Sequence, residues 1–200
     1  MITAHPRHNL PDVLAKQPRK LIVSITDPGQ EVDDSHFDNI APQAKVVRLT
    51  YNAFERDRNA KWLTVTDLED IAQEARDARF DVIVHCSAGE VRSPAVALFL
   101  NLLKAQEEDN IDLQNTVERH RIVQIWREAH PQATPQERTL HIAAHILKLR
   151  VSLIEDIHIV DEAKVTHNPQ MPEDHTKPQR TRHTKIKKTK TKRKIKGLRH

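Results

Sequence analysis

Apolar residues are grouped along this chain in two rhythms. Leu21-Ile22-Val23-Ser24-Ile25-Thr26 is a nearly continuous β-branched run that closes on Asp27-Pro28-Gly29, the pattern of a buried strand ending in a turn. Val46-Val47-Arg48-Leu49 and Asp81-Val82-Ile83-Val84 predict two further strands. Between them, Thr66-Asp67-Leu68-Glu69 has the form of a capping box, and Leu68, Ile71, Ala72 and Ala75 recur at helical spacing, so a helix is expected up to Phe80. Ser93 followed by Pro94 predicts an N-cap with proline at the first helical position, opening Ala95-Val96-Ala97-Leu98-Phe99-Leu100. Two more helices are expected, one over 112–128 and one started by Thr134-Pro135-Gln136-Glu137. Strands separated by helices and followed by a helical cluster predict an α/β domain with a short, largely parallel sheet flanked by helices. On this pattern residues 1–20 are an N-terminal extension, 21–160 the domain and 161–200 a tail.

Charge sharpens the division at the tail. Of the 32 basic residues, twelve lie from Thr176 onward with no acid among them, leaving 20 basic against 28 acidic side chains before that point, a net of −8. The tail has too little apolar content to offset the entropy of ordering it, so it is expected to be disordered. A flexible run of cations over 177–200 suits non-specific contact with nucleic acid, and the lack of aromatic or long apolar anchors disfavours a membrane surface. The N-terminus carries charges and prolines instead of an apolar signal region, and no apolar run approaches the ~18 residues of a membrane span, which points to a cytoplasmic protein. The single cysteine excludes an internal disulfide and leaves a free thiol. His130, His141 and His145 read as polar helix positions without a third ligand cluster, so neither metal nor cofactor is expected.

The one cysteine and one of three glycines stand together between an apolar run and a helix start, in Val84-His85-Cys86-Ser87-Ala88-Gly89-Glu90-Val91-Arg92-Ser93-Pro94. Five residues between Cys86 and Arg92 let a tight turn curl around one tetrahedral anion. The N–H groups of Ser87, Ala88, Gly89, Glu90 and Val91 converge as a nest, and the helix that follows adds unpaired donors and the positive end of its dipole. Arg92 supplies a planar fork for two anion oxygens, and Gly89 permits close backbone approach. The same electropositive concavity favours a thiolate at Cys86. Ser93 is placed to donate a hydrogen bond to that sulfur, and His85 to orient the loop.

His85-Cys86-Ser87-Ala88-Gly89-Glu90-Val91-Arg92-Ser93 resembles the His-Cys-x-x-Gly-x-x-Arg-Ser/Thr signature of the cysteine-dependent protein tyrosine and dual-specificity phosphatases. "LIVSITDPG" and "VVRLTYN" look like the early strands of small bacterial and phage members. "HPQATPQERTLHIAAHIL" is similar to the Pro-x-x-x-Pro-Asn region and last helix of that subgroup, so the resemblance runs from Leu21 to Leu149. It implies hydrolysis of a phosphorylated protein through a cysteinyl-phosphate, with Cys86 attacking phosphorus, Arg92 and the loop amides holding the equatorial oxygens, and no metal. Two positions depart from the pattern. The aspartic acid that protonates the leaving group is expected where this chain has Ala53, leaving Asp57 as the first alternative, with Glu55 and Asp27 behind it. Glu90 stands where relatives carry small or apolar residues and is expected to point outward. The resemblance therefore admits a slow phosphatase, a phosphate-binding pseudoenzyme that has lost its acid, or an RNA 5′-phosphatase that uses the basic tail.

Overall fold

Residues 1–53 and 61–166 are described by a computed structural model, the side chains of Asp34 and residues 164–166 excepted. They fall within a single unit, Met1–His167. Glu55, Asp57 and the tail from residue 167 lie outside the described residues.

Four parallel strands form the sheet: β1 (Thr3–Pro6), β2 (Leu21–Thr26), β3 (Lys45–Thr50) and β4 (Val82–Cys86), in the order β1-β4-β2-β3. Every residue of β2 and β4 is buried, because a central parallel strand is covered on both faces and is therefore mostly apolar. Helices α1 (Leu10–Lys16) and α2 (Asp34–Ile40) cover one face, where Leu10, Leu14 and Phe37 pack on Ile22 and Ile83. The other face carries the main core, built on α3 (Val65–Asp77), α4 (Arg92–Glu107), α5 (Thr116–Ala129), α6 (Glu137–Ile146) and α7 (Leu153–Thr166). Thirteen of the sixteen residues of α4 are buried, so it is the central helix against which α3, α5 and α6 pack.

The first twenty residues are not an extension. β1 pairs with β4 from Thr3↔Ile83 to Pro6↔Cys86 and forms the edge of the sheet beside the cysteine. Thr-Ala-His-Pro has too little apolar content to show a strand period, and partners distant in sequence supply what it lacks. Asn101 of α4 accepts from the Ile2 N–H at 2.9 Å and donates to the Ile2 carbonyl at 2.8 Å. His130 accepts the Ala4 N–H at Nε2, 2.9 Å away, which leaves Nδ1 to donate to the Trp126 carbonyl. Asn101→Leu keeps the bulk and strands both Ile2 groups, so a loss of about 2–4 kcal/mol of unfolding free energy is expected in urea titration.

Several helix starts also differ. The capping box is Thr64 with Asp67, two residues earlier than the Thr-x-x-Glu pattern indicates. α4 begins at Arg92 with Val91 as its uncapped N-cap, so Ser93 and Pro94 lie inside the first turn. α7 continues past residue 160, and Asp161 receives the Arg127 Nε–H at 2.7 Å, so the domain extends into the stretch assigned to the tail. Among the described residues no helix is long and apolar enough to cross a membrane.

Candidate active site

β4 delivers Cys86 to the edge of the core, the chain turns through Ser87 to Val91, and α4 starts at Arg92. The turn is held by its carbonyls. Ser87 O accepts from Arg7 N at 3.4 Å, Glu90 O from Thr134 N at 2.9 Å and Val91 O from Gln136 N at 3.0 Å. With the carbonyls drawn outward, the N–H groups of Ala88, Glu90 and Val91 have no acceptor among the described residues. Such a turn at the N-terminus of a sixteen-residue helix is a ready site for an anion.

Cys86 is buried, and its sulfur receives two hydrogen bonds, from the Gly89 N–H at 3.2 Å and the Ser93 hydroxyl at 3.1 Å. Both stabilise negative charge on sulfur, the form that acts as a nucleophile. Gly89 has φ +77°, and a Cβ there would stand 2.5 Å from Pro6 N and 2.8 Å from His5 C. The close approach that demands glycine is thus to β1, not to a ligand.

Arg92 is 3% exposed and held by two anchors. Nη1 donates to Asp27 Oδ1 at 3.1 Å and to the Tyr51 carbonyl at 2.7 Å, while Nη2 donates to Asp27 Oδ2 at 2.9 Å. Three of the five guanidinium hydrogens are thereby used. The Nε–H and the second Nη2 hydrogen, which share one edge of the plane, have no acceptor among the described residues. That edge is a free bidentate fork. Asp27 therefore does more than close its own turn, although its carbonyl does accept Gln30 N there at 3.0 Å. Both carboxylate oxygens accept from Arg92, so the carboxylate serves to orient that guanidinium.

A cleft of about 520 Å³ opens over Cys86 and Arg92, walled by the turn and by Asp27, Asn52 and Ala53. Ala53, the position of the expected acid, thus lies on the wall of the sulfur's cleft. Glu90 is exposed and lines the same cleft. Gln136 braces the wall, its amide donating to the Asn52 and Ala53 carbonyls at 3.2 and 3.0 Å. A second cleft of about 460 Å³ shares Ala53 and Val91 with the first and contains Trp62 and Arg138, whose guanidinium stacks 5.3 Å above the indole.

His85 does not hold the loop. Its side chain projects to the α1–α2 face, 5.7 Å from the Phe37 ring, and neither ring nitrogen has a hydrogen-bond partner among the described residues. Burial, with the Arg7 and His36 charges adding to it, pushes its pKa down to about 4, so the ring is neutral at pH 7. His141 and His145 are exposed on α6, and no cluster suited to a metal exists among the described residues. The Asp27–Arg92 pair, the Tyr51 carbonyl and the Gln136 brace carry no local signal in the sequence. Only the turn residue Asp27, at the end of a strand, hinted at a place on the rim.

No protein-family model matches the chain, and no curated protein matches it. Solved structures do. The chain is similar to Tk-PTP in its active form, with a TM-score of 0.52 and 14% identity over 75% of this chain and 91% of that one. It is similar to a mutant form of Tk-PTP at TM-score 0.50 and 13% identity, covering 73% and 87% of the two chains. The Yvh1 phosphatase domain from Chaetomium thermophilum also matches, at TM-score 0.48 and 18% identity over 72% and 89%. At these identities the likeness establishes the fold. The chain has the α/β fold of the tyrosine and dual-specificity phosphatases, as the cysteine turn implies.

Proposed function

We propose that this protein is a cysteine-dependent phosphomonoester hydrolase acting on phosphorylated protein, with phosphotyrosine preferred. The observation that carries the reading is one sulfur hydrogen-bonded by Gly89 N–H and Ser93 hydroxyl, in the cleft that Arg92 also lines. A phosphoryl group enters with two oxygens on the Nε and Nη2 hydrogens of Arg92 and the others on the loop amides. Cys86 thiolate attacks phosphorus, an S–P bond forms and the P–O bond to the leaving group breaks. Water then attacks phosphorus, the S–P bond breaks and inorganic phosphate departs, while the Ser93 hydroxyl stabilises the returning thiolate. Donors fixed before charge develops provide the electrostatic stabilisation.

The preference for phosphotyrosine follows from Ala53. Without a carboxyl at that position the leaving oxygen departs unprotonated or takes a proton from water, which a phenol tolerates far better than an alcohol. Acid quenching of enzyme mixed with an aryl phosphate is expected to trap one phosphoryl group on the peptide containing Cys86, detected by mass spectrometry. Steady turnover with no phosphoryl group on that peptide during the reaction would overturn the mechanism. The same alanine favours a second reading, a phosphopeptide-binding protein with negligible turnover. Tight phosphopeptide binding with neither turnover nor a phosphoryl group on Cys86 would favour this one.

A further inference from the structure

The face of the sheet turned away from Cys86 carries polar residues that the hydrolytic reading leaves unused. At one level across the four strands stand His5, His85, Ser24 and Arg48, paired as His5↔His85, Ser24↔His85 and Ser24↔Arg48. Residues level with one another in neighbouring parallel strands project from the same face. That face is the one covered by α1 and α2, since Ile22 and Ile83, two residues earlier on their strands, pack there with Leu10 and Phe37. His36 of α2 sets its ring edge-on to Phe37 at 5.4 Å, and Phe37 lies 5.7 Å from His85. Arg7 joins from the end of β1, its backbone N–H bonded to Ser87 O of the cysteine turn.

Six buried polar atoms in this cluster have no partner among the described residues: Arg7 Nε and Nη2, Ser24 Oγ, His36 Nε2, and both ring nitrogens of His85. Ser24 and His85 are 1% and 0% exposed. Burial of so many unmatched groups is costly, and native interiors satisfy them with protein, water or a bound ion. Their inventory is lopsided. Arg7 offers three hydrogens from the two orphaned nitrogens, Ser24 one, and each imidazole at least one, against few acceptors and with no carboxylate in the set. A donor-rich cluster built around a guanidinium calls for an anion. Because a neutral His85 also presents one acceptor nitrogen, the anion that matches the set both accepts and donates.

We infer that Arg7, Ser24, His36 and His85 form a second anion site behind the cysteine turn, selective for hydrogen phosphate over sulfate or chloride. The Arg7 N–H bonded to Ser87 O places the site directly behind the cysteine turn.

The test uses the full chain with Arg92→Met, which removes the fork at the cysteine turn, and inorganic phosphate as the probe in isothermal titration. One phosphate is expected to bind this variant, and adding Arg7→Gln or Ser24→Ala is expected to weaken it at least ~10-fold. Ser24→Ala is a small change inside a strand, which guards against loss of folding, checked by circular dichroism. No phosphate bound to the Arg92→Met protein, or unchanged affinity with both second substitutions, would overturn the site. Equal binding of sulfate or chloride would overturn its selectivity. A wild type with no turnover that still binds phosphate through Arg7 would refute hydrolysis and leave this site standing.

Discussion

Cys86→Ser is expected to lower kcat for an aryl phosphate by on the order of 10³-fold or more while phosphate still binds. Oxygen replaces sulfur with little change of shape, so the Gly89 N–H and the Ser93 hydroxyl meet a hydroxyl in the same place. That hydroxyl stays protonated near neutral pH, and the donors that favour a thiolate cannot make an alkoxide of it. The anchors of Arg92 do not involve Cys86, so its free edge remains available to the phosphoryl oxygens. Phosphotyrosyl peptide should therefore bind the variant with a Kd near that of wild type, and the variant should trap substrate. Equal hydrolysis rates in wild type and variant would remove Cys86 from the chemistry. Loss of peptide binding without loss of folding would mean that the sulfur, and not the amide ring with Arg92, holds the ligand.

The turn was legible in the sequence because its requirements are local. A nucleophile, a guanidinium and a helix start must fall within one turn of chain, and Cys86, Arg92 and Ser93 satisfy that by spacing alone. The central strands were legible for a related reason: burial on both faces forces β2 and β4 to be apolar at nearly every position. What escaped notice depends on distant pairing. β1 has no hydrophobic period of its own and is fixed by Asn101 and His130, roughly a hundred residues away. The Asp27–Arg92 pair joins residues 65 apart in the chain, and nothing near Asp27 distinguishes it from an ordinary turn carboxylate. His85 departs from expectation for the opposite reason. Adjacency to the cysteine suggested contact with the loop, but successive strand residues face opposite sides of the sheet, so His85 necessarily leaves by the face that Cys86 does not use.

Ala53→Asp is expected to raise turnover of alkyl phosphates by about 10²-fold, within the 10²–10⁴-fold range of general acid catalysis, and to change aryl phosphates far less. Position 53 already lies on the wall of the cleft that holds Cys86, and the Gln136 amide fixes its carbonyl at 3.0 Å. A carboxyl placed there shares the cleft with Cys86 and Arg92, where the leaving oxygen must take up its proton. The pH profile of kcat should then acquire a descending limb on the alkaline side, as the new acid loses its proton. Gln136→Ala in the same background should take back part of the gain, because the wall would no longer hold position 53 over the leaving group. If the ratio of alkyl to aryl turnover is the same with alanine and aspartate, the acid position lies elsewhere and slow release of alcohols has another cause. A gain confined to alkyl esters would show that this fold holds a complete phosphoryl-transfer site lacking one proton donor.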